Sequence, residues 1–273
     1  MHTIPSDLSD RNWDSPMRRP MTSYVVIPAR LASTRLPRKM LLDETGKPLI
    51  QHTYEAAARA TKPAGVCVAC DHEEIRQAVE RFGGKAVWTS PTAQSGTDRV
   101  AEVARSMPEV DIFVNVQGDE PEIPPEAIDQ VVELLERTAE AEVATLAAPL
   151  RERDRLADPA CVKVVCDGRG FALYFSRSII PHPREWDDSL LQADPPIFLQ
   201  HIGVYAYRRE YLLKIPYLAP PPLERVEKLE QLRFLYHGAR IAVGLIPSPT
   251  CGIDTPEDYR RFVANYRARY NRR

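Results

Sequence analysis

The 273-residue chain lacks any apolar run near the ~20 residues that cross a bilayer, and its N-terminus has no basic segment leading into an apolar one. The expected compartment is therefore the cytoplasm. Cysteine is scarce: five residues, an odd number and scattered, do not form a disulfide framework. Cys67 and Cys70 make a C-x-x-C, but within VCVAC they read as part of a buried strand, and a zinc ribbon would need a second such pair. Charge of one sign is also missing. A formal net charge of −2 supplies no basic field for nucleic acid, so any basic cluster must be read as a local site. No G-x-x-x-x-G-K-[ST] and no G-x-G-x-x-G after a strand occur, and the one G-x-G, Gly168 to Gly170, falls in a hairpin turn. Walker-type kinase and hydride-transfer readings lose their main support.

What is present is an ordinary globular composition, 44% hydrophobic and 27% charged, long enough for one large core or two small ones. Prolines are frequent at 25, clustered at 181/183, 195/196, 216 and 220–222, and mark rigid connections. Residues 1–21 are polar and aperiodic and read as a flexible leader, with Met21 an alternative start; 22–273 read as one domain.

From Tyr24 short apolar runs alternate with amphipathic segments, the pattern of an α/β fold with a mostly parallel sheet. Five βα units are expected. Strands fall at 24–28, 66–70, 85–88, 111–117 and 143–148, and helices begin near Pro48, after an Asp71 cap, at a Thr97 cap and at Pro125. Past Arg151, a hairpin around Asp167–Gly170 signals an antiparallel insertion, placed at about 155–220. A strand at 201–207, a helix over 222–237, a strand at 241–246 and a helix from Pro256 to Tyr270 complete the reading.

Three segments carry chemistry. The first strand runs into IPARLASTRLPRKML, placing Arg30, Arg35 and Lys39, with Arg38 as a fourth cation, at the sheet edge where α/β proteins bind ligands. Several fixed donors suit a triphosphate; the alternative is a solvated basic loop. The second is FVNVQGDEP, whose strand delivers Gln117, Gly118, Asp119 and Glu120 to the same edge. Asp119 is a natural Mg²⁺ ligand, and Gly118 would let a nucleotide approach the backbone. The third is CGIDTPED, whose Asp254 reads either as a helix cap or as a second carboxylate converging on the metal.

In their order along the chain, IPARLASTRLPRK, ACDHEEI, QSGTDRVAEV, VNVQGDEPEIP, VKVVCDGRGFALYFSRSIIP, HIGVYAYR, LEQLR and GIDTPED resemble the 3-deoxy-manno-octulosonate cytidylyltransferases, or CMP-Kdo synthetases, from about Thr22 to Arg267. The resemblance implies a three-layer, Rossmann-like nucleotide-diphospho-sugar transferase fold and CMP transfer from CTP to Kdo for lipopolysaccharide synthesis. It implies CTP contacts from Ala29, Arg30, Arg35, Lys39, Asp71, Ser95, Gly96 and Gln117, and catalysis by Arg30, Arg35, Lys39, Asp119 and Asp254. It further implies Mg²⁺ held by Asp119 and Asp254, and sugar contacts from Arg177, His201, Tyr205, Glu230 and Gln231. A homodimer is implied through the antiparallel region. His201 and Tyr205, four apart on a strand, are expected on one face. Arg38, Met40 and Cys251 depart from the family's common residues. Transfer to 8-amino-Kdo or sialic acid, or a non-catalytic nucleotide-binding relative, stays open as an alternative.

Overall fold

Runs such as VVI, VCVAC and IFV are rich in β-branched and aromatic side chains, which favours strands buried on both faces and covered by helices. The structure, a computed structural model, describes residues 21–33, 35–250 and 252–270. The expected leader, apart from Met21, and the departure at Cys251 lie outside the described residues.

β1 (Ser23–Ala29), β2 (Val66–Cys70), β3 (Ala86–Trp88), β4 (Ile112–Asn115) and β5 (Val143–Pro149) alternate with α1 (Leu49–Ala57), α2 (Glu73–Arg81), α3 (Gly96–Arg105) and α4 (Pro125–Arg137). After β5 come α5 (Arg153–Ala157), then β6 (Lys163–Cys166) and β7 (Ala172–Ser176), paired antiparallel across the Asp167–Gly170 turn. β8 (Leu199–Arg208), α6 (Arg209–Leu212), α7 (Pro222–Glu227), α8 (Gln231–Tyr236), β9 (Ile241–Leu245) and α9 (Pro256–Tyr270) follow. The main sheet order is β3-β2-β1-β4-β8-β5-β9, with the β6–β7 hairpin attached to β8. Along that path only β8 runs against its neighbours.

The sheet is sandwiched between helical layers. Val25, Ile27, Cys70 and Ile202 pack with Ile50, Ile75 and Ile128 from α1, α2 and α4 on one face. Val26, Cys67 and Tyr207 pack with Val100 and Phe234 from α3 and α8 on the other. Cys67 and Cys70 thus join opposite layers, as odd spacing on a strand demands. Burial pushes the Cys67 thiol up to about 12.

Three local expectations change. His72, not Asp71, caps α2, its Nδ1 accepting from Glu74 N at 3.2 Å. Ser95, not Thr97, caps α3, in a reciprocal capping box with Asp98. The helix expected over 222–237 breaks into α7 and α8 at Lys228, whose φ of 54° is left-handed. Glu227 holds that break to the end of β7: its carboxylate accepts Ser176 Oγ at 2.7 Å and Arg177 N at 2.9 Å.

Candidate active site

β1 and β4 are parallel neighbours, so their C-terminal ends bring the cationic segment and the Gln117–Asp119 turn to one edge. The N-terminus of α3 and the loop before α9 close the ring. Between them lies a cavity of about 330 Å³ lined by Ala29, Arg30, Arg35, Lys39, Ser95, Gly96, Gln117, Asp119 and Asp254 among others. The amides at the start of α3 and its dipole favour an anion there. α9 fixes the Asp254 loop through Tyr259, Phe262 and Val263, buried with Ile253 against Leu36 and Leu49. Each such side chain is worth about 1.5–3 kcal/mol when fully buried. Gly118 is required from the protein side: a Cβ would lie 2.9 Å from Met40 Sδ and 3.1 Å from the Pro28 carbonyl oxygen.

The charged groups interlock. Lys39 Nζ lies 2.6 Å from Asp119 Oδ2, 3.3 Å from Asp254 Oδ1 and 2.7 Å from the Ile253 carbonyl oxygen. Arg35 Nη2 donates to Asp254 Oδ1 at 2.9 Å. Thr255 supplies the cap-like bond that Asp254 was a candidate for: Asp258 N donates to Thr255 Oγ1 at 3.1 Å. Asp254 faces the cavity instead, so two carboxylates 135 positions apart share one ammonium. Hard oxygen donors of this kind, with room for phosphate oxygens and water, fit Mg²⁺. Behind them burial, then the charges of Asp119 and Asp254, raises the Glu120 carboxyl to about 7.

Arg38 does not join this group. Its guanidinium pairs with Glu74 on α2, and it does not line the cavity. Asp71 is likewise drawn away: its Oδ2 accepts from Arg99 Nη2 at 2.6 Å, and it too is outside the cavity lining. Arg99, which sequence reasoning missed, does line the cavity, and also donates to Thr89 Oγ1 and the Ser90 carbonyl at 3.0 Å each. Its position three residues after Gly96 puts it on the same helical face, a signal present in QSGTDR.

The residues matched to a sugar do not line the 330 Å³ cavity. His201 packs between Phe175 and Tyr205, with ring centroids at 5.1 and 5.3 Å, and shares a 3.1 Å hydrogen bond from Nε2 with Thr145 Oγ1. The same-face expectation holds although β8 bulges here. Leu146 and Thr145 face Ile202 and Tyr205, so β8 carries two extra residues, an even number that preserves alternation. Burial lowers the His201 imidazole to about 3, keeping it neutral, and pushes the Tyr205 hydroxyl well above its ordinary range.

Gln231 is buried and Glu230 half-buried, rather than solvent-facing. Thr97 Oγ1 donates to Glu230 Oε2, and burial raises that carboxyl. Arg177 binds backbone: Nε to the Glu227 carbonyl at 2.7 Å and Nη1 to the Pro159 carbonyl at 2.9 Å. Its own carbonyl accepts from Lys163 Nζ at 2.6 Å, and the fully buried Lys163 also donates to the Cys161 carbonyl at 2.7 Å. Lys163 gave no sequence signal, since a lysine in a strand reads as an edge or surface position.

The cytidylyltransferase family model matches residues 24–241. A Rhodopirellula baltica 3-deoxy-manno-octulosonate cytidylyltransferase is 49% identical over 89% of this chain and 98% of its own length. A Myxococcus xanthus protein of the same name is 48% identical over 90% and 97%. The solved structure of a CMP:2-keto-3-deoxy-manno-octonic acid synthetase complexed with CTP has a TM-score of 0.84 and 41% identity, covering 91% of this chain and 99% of that one. The chain belongs to the cytidylyltransferase family, in keeping with its sheet edge and cationic loop. Within that family it belongs with the 3-deoxy-manno-octulosonate cytidylyltransferases.

Proposed function

We propose that the chain transfers CMP from CTP to the anomeric hydroxyl of 3-deoxy-D-manno-octulosonate, releasing pyrophosphate, with Mg²⁺ held by Asp119 and Asp254. The observation that carries this reading is the convergence of Arg35, Lys39, Asp119 and Asp254 on one cavity beside the N-terminus of α3. The sugar hydroxyl attacks the α-phosphorus in line; one P–O bond forms as the bond to pyrophosphate breaks. Arg30 and Arg35 offset the charge that grows on the departing pyrophosphate, and the rigid edge orients the reacting groups. Gln117, Ser95 and Gly96 border the nucleotide, and Arg99 joins them. When bound, Mg²⁺ neutralises phosphate oxygens and lowers the pKa of a coordinated hydroxyl. His201 offers the sugar a neutral hydrogen-bonding ring, and Arg177 suits its carboxylate by charge.

A homodimer belongs to the same reading. On α7 no residue is buried, and Leu223 and Val226, three apart and so on one side, are 44% and 83% exposed. A second copy would cover them. We assign the reaction to the cytoplasm and to lipopolysaccharide synthesis; among the described residues no helix is long and apolar enough to cross a membrane.

The test is phosphorus NMR of the protein with CTP, Mg²⁺ and Kdo, beside sialic acid and 8-amino-Kdo. A phosphodiester signal and pyrophosphate with Kdo are expected. Turnover with another sugar alone would move the specificity, and none with any sugar would overturn the proposal.

A further inference from the structure

Lys39 stands in the gap between the two carboxylates assigned to the metal. Its side chain is only 8% exposed, and its contacts with Asp119 Oδ2, the Ile253 carbonyl and Asp254 Oδ1 at 2.6, 2.7 and 3.3 Å account for all three protons of an ammonium. In this arrangement Lys39 has no proton left for a phosphate. Nor can a divalent ion share these oxygens with it: Mg²⁺ binds carboxylate oxygen at about 2.0–2.1 Å, which would crowd two like charges together at short range.

We infer that Lys39 is an internal counter-ion that keeps the metal site closed until nucleotide arrives. The triphosphate draws the ammonium away from Asp119 and Asp254, and the released oxygens then accept the metal together with the nucleotide. Metal and CTP binding are therefore positively coupled, and each is weak without the other. The inference rests on the assignment of Asp119 and Asp254 to Mg²⁺.

The carboxylates do not depend on Lys39 for their proximity. Ile253 N donates to the Asp119 carbonyl at 2.9 Å, and Ile253 is buried in the apolar cluster under α9, so the backbone brings the two segments together. Removing the ammonium should leave the two aspartates in place, Asp254 still paired with Arg35 and Asp119 without its Lys39 partner.

The experiment titrates the full chain, without nucleotide, with Mn²⁺ as a spectroscopic stand-in for Mg²⁺, counting free ion by its EPR signal. Lys39→Met should bind Mn²⁺ about ten- to a hundredfold more tightly than wild type, the scale of a lost charged hydrogen bond. Lys39→Arg, which keeps a cation, should remain weak. Adding Asp119→Asn to Lys39→Met should remove the gain. Circular-dichroism melting checks the fold, and Lys39→Gln carries the same expectation if the Met variant does not fold. Affinity in Lys39→Met and Lys39→Gln no higher than in wild type would overturn the counter-ion role. A gain that survives Asp119→Asn would instead overturn the metal assignment beneath it.

Discussion

Thr97, in the first turn of α3, donates its hydroxyl to the carboxylate of Glu230, 133 positions further along the chain. The bond joins the helix end that lines the cavity to the start of α8. Its acceptor is half-buried, and Ser95 is a second hydrogen-bonding neighbour of the same carboxylate.

Thr97→Val leaves that carboxylate without the Thr97 donor while keeping the side chain's shape. The expected loss is about 1–3 kcal/mol of stability, the cost of an unsatisfied buried polar group. Glu230→Gln should cost less, because its amide oxygen still accepts from Thr97 and no charge is buried. Urea denaturation of the two variants checks the order, and a Thr97→Val protein as stable as wild type would refute it.

Arg38 adopts φ 55° and pairs with Glu74, both side chains about half exposed. Arg38→Gly relieves about 1–2 kcal/mol of left-handed strain. It adds about 0.5–1 kcal/mol of chain entropy cost and loses an exposed ion pair that contributes little. Stability should therefore change by no more than about 1.5 kcal/mol. Because Arg38 is not on the cavity, the KM for CTP should not move; a several-fold rise would restore it as a fourth phosphate cation.

Burial lowers the imidazoles of His201 and His52 to about 3 and about 4. In the unfolded chain both titrate near 6.5, so below that pH the unfolded state binds more protons. Stability should fall as pH drops from 6.5 towards 4, by up to about 1.4 kcal/mol per pH unit for each ring. Glu230, raised by burial, has the opposite sign: its contribution is present at low pH and lost as pH rises through its folded value. Melting temperatures from pH 7 to 4.5 should show a shallower acid decline in His201→Gln than in wild type. An unchanged slope would mean that His201 does not stay neutral in the fold.

Val226→Glu tests the uncovered side of α7. A substitution at a site 83% exposed should leave the single chain's stability within about 0.5 kcal/mol. In sedimentation velocity it should shift the protein from dimer to monomer. A wild type that sediments as a monomer would overturn the proposed dimer, and a variant that sediments as a dimer like wild type would remove α7 as its contact.

The βα succession was legible because strands covered on both faces are written as short continuous apolar runs, each followed by an amphipathic helix; no distant partner is needed to see them. The same local logic placed Arg30, Arg35 and Lys39 after β1 and Asp119 after β4. The insertion of β8 between β4 and β5 was not legible, since antiparallel pairing there joins segments some ninety and sixty residues apart.

Both capping errors have one cause. Asp71 and Thr97 are competent caps by chemistry, but Arg99 takes the first and Glu230 the second, leaving His72 and Ser95 to close the helices. Arg38 and Lys39 divide in the same way: one turns to Glu74 on α2 and the other to Asp119 and Asp254. Which groups exist, and near which strand end, was determined by sequence through local pattern. Which partner each polar group holds was decided by tertiary structure, because buried donors and acceptors must be satisfied by whatever the fold brings within about 3 Å.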